Sequence, residues 1–204
     1  MLTQNAITLL QDLIQIESFS KKESGTAQRL EHWFEEYKIP FQRKDNNLWA
    51  VNKAFDSKKP TLLLNSHHDT VLPNQAYTRD PFTADLVDGK LYGLGSNDAG
   101  GALVSLLALF THYYAHTDPA YNLLFVASAE EETAGEKSLR NLLPDLPKID
   151  LAIVGEPTLM HLAIAEKGLV VFDVVIKGTP SHAAHPNTDN PLMKLPDIIK
   201  KIEN

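Results

Sequence analysis

The chain has no cysteine among its 204 residues. Disulfide staples, thiolate metal sites and cysteine nucleophiles are therefore excluded, and any metal must be held by His, Asp and Glu. Nor is there an uninterrupted apolar run of about 18 residues, the length that marks a membrane-spanning helix. The opening Met1-Leu2-Thr3-Gln4-Asn5 lacks the basic stretch and following apolar stretch of a secretory leader, so a cytoplasmic protein is the default expectation. Basic blocks are missing as well. Against 26 Asp and Glu stand 19 Lys and Arg, a formal charge of -7 that repels phosphate backbones and anionic lipid, so neither nucleic acid nor membrane is expected as a partner. Neither Gly-x-Ser-x-Gly nor His-Glu-x-x-His occurs, which removes two common hydrolase signatures. No internal repeat or low-complexity segment is present.

What remains is ordinary globular material, 43% hydrophobic and 22% charged, long enough for one α/β domain and part of another. Three short apolar runs end in metal-ligand or acid–base residues. They are Thr61-Leu62-Leu63-Leu64-Asn65-Ser66-His67-His68-Asp69, then Leu123-Leu124-Phe125-Val126-Ala127-Ser128-Ala129-Glu130-Glu131-Glu132, and Leu151-Ala152-Ile153-Val154-Gly155-Glu156. Runs of this kind read as strands of a mostly parallel sheet, buried on both faces between helices. Ligands of open α/β sheets bind beyond the carboxyl ends of the strands, where these polar clusters lie.

Helical spacing falls on Ile7, Leu10, Leu13 and Ile14, and again from about Ser24 to Tyr37 with Ala27, Leu30, Trp33 and Phe34 on one face. Asn47 to Val51 reads as a strand, and Asp88-Gly89 as the turn of a hairpin. The stretch from Gly100 to about Ala115 is apolar nearly all round, as expected of a well-covered helix. After Pro157 the character changes. Leu169 to Lys177 is β-rich and Leu192 to Ile202 helix-like, so the expected division is residues 1–166 and 167–204.

Each cluster has a plain reading beside a chemical one. In a strand, residues i and i+2 point the same way, so Asp69 can hold the His67 ring in the metal-binding tautomer; plainly read, the same residues are a polar strand end with two exposed histidines. Gly93-Leu94-Gly95-Ser96-Asn97-Asp98-Ala99-Gly100-Gly101 opens the apolar helix, but Asp98 stands where a dinucleotide fingerprint wants its third glycine, and its charge repels phosphate. Asp98 is then either a helix N-cap or a metal-binding carboxylate. Glu130-Glu131-Glu132 is a solvated turn, or a ligand beside a proton acceptor, since adjacent residues point in different directions. Glu156 is a surface-turn residue or a third carboxylate for the same crevice. His112 and His116 are four apart but sit at a helix C-terminus, where the dipole favours His without any metal. His32 and His161 have no partner at ligand spacing.

Together, Ser66-His67-His68-Asp69-Thr70-Val71, Gly93-Leu94-Gly95-Ser96-Asn97-Asp98, Glu130-Glu131-Glu132 and Val154-Gly155-Glu156-Pro157-Thr158 resemble, in order and spacing, the M20 family of dinuclear metallohydrolases. Within it the chain is most similar to acetylornithine deacetylases and related N-acyl amino-acid deacylases. The resemblance implies a zinc-aminopeptidase-like catalytic domain and the start of a small α+β dimerisation lid. It implies two zinc ions, with cobalt as a substitute: Asp98 bridges them, His67 and Glu156 bind one, Glu132 binds the other. Glu131 would be the general base and acid, Asp69 the orienting partner of His67. Gly178-Thr179-Pro180-Ser181-His182-Ala183-Ala184 resembles the start of the lid, whose histidine, here His182, reaches the partner subunit's site and steadies the oxyanion, which implies a homodimer. The expected substrate is a small N-acyl amino acid, N-acetylornithine or N-succinylornithine of arginine biosynthesis. A di- or aminopeptidase of the same family would use the same ligands.

The chain departs from the family pattern in two ways. The usual Gly-Arg-Gly before the bridging aspartate is Gly93-Leu94-Gly95, and the lysine often found two residues after it is Gly100. Family members are also much longer, and their last ligand to the second metal is a histidine near the C-terminus. The sequence is accordingly expected to be an N-terminal portion, poorly active alone; a non-catalytic metal-binding remnant is the other outcome.

Overall fold

Apolar residues three and four apart build the first two helices of the computed structural model, which describes residues 2–117, 120–165, 167–168 and 170–203. Helix α2 (Ser24–Glu36) buries Ala27, Leu30, Trp33 and Phe34, the face expected from its spacing. Helix α1 (Leu2–Ile14) is turned: Ala6, Leu9, Leu13 and Ile14 are buried while Ile7 is exposed. The neighbouring stripe wins because α1 lies against both α2 and α3 (Gly101–Tyr113).

Five strands form one sheet in the order β1 (Gln42–Lys44), β2 (Asn47–Val51), β6 (Asn122–Ser128), β3 (Thr61–His67), β7 (Leu151–Val154). β3 runs parallel to both β6 and β7, but β2 is antiparallel to β6 and β1 to β2. The sheet is therefore mixed, with β1, β6, β3 and β7 running one way and β2 alone against them. A parallel return needs a crossover of about a dozen residues, usually a helix, and the short 52–60 link between β2 and β3 contains none. β4 (Asp85–Val87) and β5 (Lys90–Tyr92) make the expected hairpin, with Asp88 and Gly89 at φ 51° and 74°.

Helices lie on both faces, unequally. On one, Leu9, Leu30, Trp33, Phe34, Leu107 and Phe110 pack over Leu48, Leu64 and Phe125 of the central strands. On the other, Trp49, Leu63, Leu124 and Val126 meet only Leu142 of the short helix α4 (Leu139–Leu142) and its neighbours. α3 is less covered than its composition implies, because Leu109 and Tyr113 face solvent. The third apolar run also departs from expectation. β7 is exposed along its whole length, since it pairs with β3 on one side only and the α1–α3 layer stops over β2, β6 and β3.

The chain divides into two compact units, Met1–His161 and Leu162–Asn204. In the second, Asn190 accepts the Leu192 N–H at 2.9 Å and Pro191 begins α5 (Pro191–Glu203). The expected β-rich stretch carries no ladder among its described residues, 170–177; Leu169 lies outside them. A strand needs a partner edge, and no other strand is described in this unit. Among the described residues no helix is long and apolar enough to cross a membrane.

Candidate metal centre

Register decides where the polar clusters meet. His67 pairs with Ser128 and Asn65 with Val154, so the residues after β6 and β7 leave the sheet at the level of His67. The Gly155 N–H extends the ladder to Asn65 O (2.7 Å), and the Ser66 hydroxyl donates to Gly155 O (2.8 Å), which sets Glu156 beside the imidazole. Asp98 arrives from the other side on a kinked turn, Ser96–Gly100, that precedes α3. Two glycines permit that approach: a Cβ on Gly95, at φ 74°, would lie 2.7 Å from Thr70 Cγ2, and one on Gly100 would lie 2.6 Å from Gly95 O. The helix proper begins at Gly101, and Asp98 has non-helical angles (φ -117°, ψ 99°). Its carboxylate does not cap the helix, which sets the N-cap reading aside.

His67 is 1% exposed and is held at both nitrogens. Nδ1 lies 3.0 Å from Asp69 O and 3.3 Å from Asp69 Oδ1; Nε2 lies 3.1 Å from Asp98 Oδ1 and 3.9 Å from both Glu131 Oε2 and Glu156 Oε2. One nitrogen is thus anchored inward while the other faces a ring of carboxylates. Asp69, fully buried, does more than orient the imidazole. It accepts the Ser20 hydroxyl at 2.6 Å, the Glu131 N–H at 3.0 Å and the Glu132 N–H at 3.2 Å, tying the end of β3 to the glutamate turn. His68 points the opposite way and is also buried, so the exposed-histidine reading falls. Burial holds its pKa below the ordinary value and the ring neutral. Since Asn46 O, 2.9 Å from Nε2, can only accept, Nε2 carries the proton and Nδ1 accepts from the Thr26 hydroxyl at 2.8 Å.

Charge at the centre is unbalanced. Burial pushes the His67 pKa down, but the Asp69 hydrogen bond and the charges of Asp69, Glu156 and Glu131 outweigh it and raise it to about 9. Asp69 is pushed up by burial and brought below its usual range by His67, Ser20 and the Glu131 N–H. Glu132 and Glu156 titrate above theirs, first because they are partly buried; for Glu132 the Asp98 charge comes next, while for Glu156 the opposing pull of His67 comes next, ahead of the repulsion from Glu131, Asp98 and Glu132.

Residues 63–200 match the sequence profile of Peptidase family M20/M25/M40. The chain belongs to this family. Succinyl-diaminopimelate desuccinylase of Rickettsia rickettsii is 29% identical over 218 residues, covering 97% of this chain and 57% of that protein. Its counterpart from Rickettsia bellii is 30% identical, over 97% of this chain and 55% of its own length. The chain thus spans little more than half the length of these relatives. Its fold is that of M20 catalytic domains. An M20 metallo-carboxypeptidase from Sulfolobus solfataricus superposes with a TM-score of 0.61 at 21% identity, over 74% of this chain and 37% of that one. A dinuclear metal-binding M20 peptidase from Bacillus subtilis gives 0.57 at 19% identity, over 75% and 42%.

The donor set fits the divalent ions of an M20 enzyme. Ligand atoms of His67, Asp98 and Glu132 lie within 4.8 Å of one another, one imidazole with oxygen donors, and the carboxylates repel one another in a way a bound cation would relieve. The family resemblance places His67 and Glu156 on one metal, Glu132 on the other and Asp98 between them; the structure brings all four together, with Glu132 in the trio and Glu156 Oε2 3.9 Å from His67 Nε2. Glu131 sits among them with its side chain half exposed. His182 belongs to the second unit, where its Nδ1 accepts the Ala184 N–H at 3.2 Å. His112 and His116 are exposed and contact the Tyr113 ring rather than one another's ligand positions. Sequence reasoning missed the supports: Ser20, Glu23, Thr26 and Asn46. For Ser20 and Glu23 the only signal is the stretch Ser18-Phe19-Ser20-Lys21-Lys22-Glu23 immediately before α2; Thr26 and Asn46 have none.

Proposed function

We propose that this chain carries the metal-binding and acid–base machinery of an amidohydrolase that removes the acyl group of an N-acyl amino acid. The observation that carries the reading is the convergence of His67, Asp98, Glu131, Glu132 and Glu156 at the ends of three parallel strands and one kinked turn. When bound by His67, Asp98, Glu132 and Glu156, two divalent ions, zinc or cobalt, would polarise the amide carbonyl and acidify water. Glu131 takes a proton from the attacking water and returns it to the departing amine, so the same carboxylate serves as base and then acid. Asp69 keeps the His67 ring in one tautomer and holds the Glu131 backbone still. Residues 167–204 begin the lid in this reading, with His182 serving the partner's site in a homodimer.

For the substrate, the relatives support a succinyl-diamino acid over N-acetylornithine: the Rickettsia proteins are named for succinyl-diaminopimelate. Both candidates are N-acyl diamino acids with a free carboxylate. The deciding experiment has two arms. Co2+ titrated into metal-free protein should give visible absorption from an oxygen- and nitrogen-coordinated ion, and a protein that binds no divalent ion overturns the reading. Hydrolysis is then compared across N-succinyl-diaminopimelate, N-acetylornithine and dipeptides, with preference for dipeptides defeating the deacylase assignment.

A further inference from the structure

Three successive backbone N–H groups at the end of β6 are each held by a buried carboxylate. The Glu130 N–H donates to Glu23 Oε1 (3.2 Å), the Glu131 N–H to Asp69 Oδ1 (3.0 Å) and the Glu132 N–H to Asp69 Oδ2 (3.2 Å). Asp69 already has a part in the metal centre through His67. Glu23 has none. Its side chain is wholly buried, stands just before α2 and reaches a residue 107 positions further along the chain. Oε1 also accepts the Lys21 N–H at 2.6 Å, and Oε2 accepts the Asn46 side-chain amide at 2.9 Å.

The residue it anchors is the point where the chain reverses. Glu130 has φ 55°, a left-handed conformation that residues with side chains rarely adopt, so the surrounding structure must hold it there. Its own carboxylate is buried and turned away from the metal centre, accepting the Lys137 N–H at 3.2 Å and lying against Gly135, where a Cβ would come within 2.0 Å of Glu130 Oε2. The first glutamate of the run is thus spent on the turn itself. The next two emerge toward His67, Glu131 with Oε2 3.9 Å from Nε2 and Glu132 within the ligand trio. The Ser20 hydroxyl, in the same polar loop as Glu23, donates to Asp69 Oδ2. One loop therefore supports all three backbone anchors, directly through Glu23 and indirectly through Asp69.

We propose that Glu23 is a positioning residue for the proton-transferring glutamate: by holding the Glu130 N–H it fixes the left-handed turn that aims Glu131 and Glu132 at the metal centre. The role rests on the function proposed above. Removing the anchor frees the turn without touching any ligand, so it should act on the metal rather than on the fold alone.

The test is Co2+ binding to the 204-residue chain, read by its visible absorption, for wild type, Glu23→Ala, Glu23→Gln and Leu142→Ala. Glu23→Gln keeps a carbonyl oxygen for the Glu130 and Lys21 N–H groups, and the Asn46 amide turns from Arg43 to accept from the new NH2; Leu142→Ala destabilises the opposite face of the sheet as a control. Glu23→Ala should bind Co2+ about tenfold more weakly with an altered spectrum, the usual size of effect for a partner behind the ligands. Glu23→Gln should restore binding, and Leu142→Ala should lower only the melting temperature. Glu23→Ala protein that binds like wild type overturns the proposal. Should Glu23→Ala not fold, amide exchange of Glu130 decides: protection in the wild-type chain supports the anchor, and exchange at the free-peptide rate in folded protein overturns it. A wild-type chain without Co2+ absorption defeats the proposed function, while the amide measurement still reports on the anchor.

Discussion

Replacing Asp69 by Asn changes one atom in a fully buried side chain, and the four donors around it make the consequence calculable. Oδ1 faces His67 Nδ1 and the Glu131 N–H; Oδ2 faces the Ser20 hydroxyl and the Glu132 N–H. A carboxamide has one oxygen to serve both sides. With the NH2 in place of Oδ2, Ser20 can rotate and accept, but the Glu132 N–H meets a donor. With the NH2 in place of Oδ1, the Glu131 N–H is orphaned and the amide donates to Nδ1, which drives the imidazole proton onto Nε2, the nitrogen that faces Asp98. Either orientation leaves a backbone N–H unmatched, at a cost of about 1–3 kcal/mol. For a chain of this size that lowers the metal-free melting temperature by roughly 4–8 °C if the cost is about 2 kcal/mol. Metal affinity should fall by about 10–100-fold, as for other partners that orient a ligating histidine. Thermal denaturation followed by circular dichroism in chelator, and Co2+ titration at fixed pH, give the two numbers. An Asp69→Asn protein with wild-type melting and wild-type affinity would refute the claim that this carboxylate holds the ring and the glutamate turn together.

Further expectations rest on separate parts of the structure. Gly100→Ala places a methyl 2.6 Å from Gly95 O and 2.7 Å from Leu10 Cδ1, so the turn bearing Asp98 must move; Co2+ affinity should fall even though no ligand is altered, and unchanged affinity would show that the turn yields elsewhere. Phe34→Ala removes a fully buried ring that stacks on Phe41 at 5.3 Å and meets Phe125 edge-on at 6.1 Å, and should cost about 3–5 kcal/mol in urea denaturation. The pH dependence of the metal-free chain has a defined sign. The His67 pKa rises on folding from 6.5 to about 9, so its stabilising contribution is complete below pH 6.5 and is lost as pH climbs through 9. That amounts to at most about 3 kcal/mol, and removing it with His67→Gln should flatten the fall in urea midpoint between those pH values.

The candidate site is legible because the residues expected to bind metal sit where short strands stop, and a strand's end is marked in sequence by the change from apolar to polar residues. His67, Glu131 and Glu156 each follow such a run, and parallel register brings the three ends to one level. Asp98 was legible only through the glycines around it, since its turn is neither strand nor regular helix. Sheet direction was less accessible: a β-rich run carries no arrow, and only the helix-free 52–60 link explains why β2 runs against its neighbour β6. Burial of β7 was misjudged for a related reason. Composition describes what a strand tolerates, whereas position in the sheet decides what covers it, and Leu151, Ile153 and Val154 lie at an edge.

The supports behind the ligands left almost no trace in sequence, and their physics explains why. A metal ligand must be one of a few residue types, so the cluster itself is informative. A buried acceptor for a backbone N–H can be any short polar side chain that geometry brings near, and its partner has no side-chain signature at all. Ser20 meets Asp69 across 49 positions and Glu23 meets Glu130 across 107, contacts that only the packing of α2 against the sheet creates. In the proposed reading the aim of Glu131 depends on residues that matter for what they hold, and a substitution in the 18–23 loop is expected to weaken metal binding while every proposed ligand remains in place.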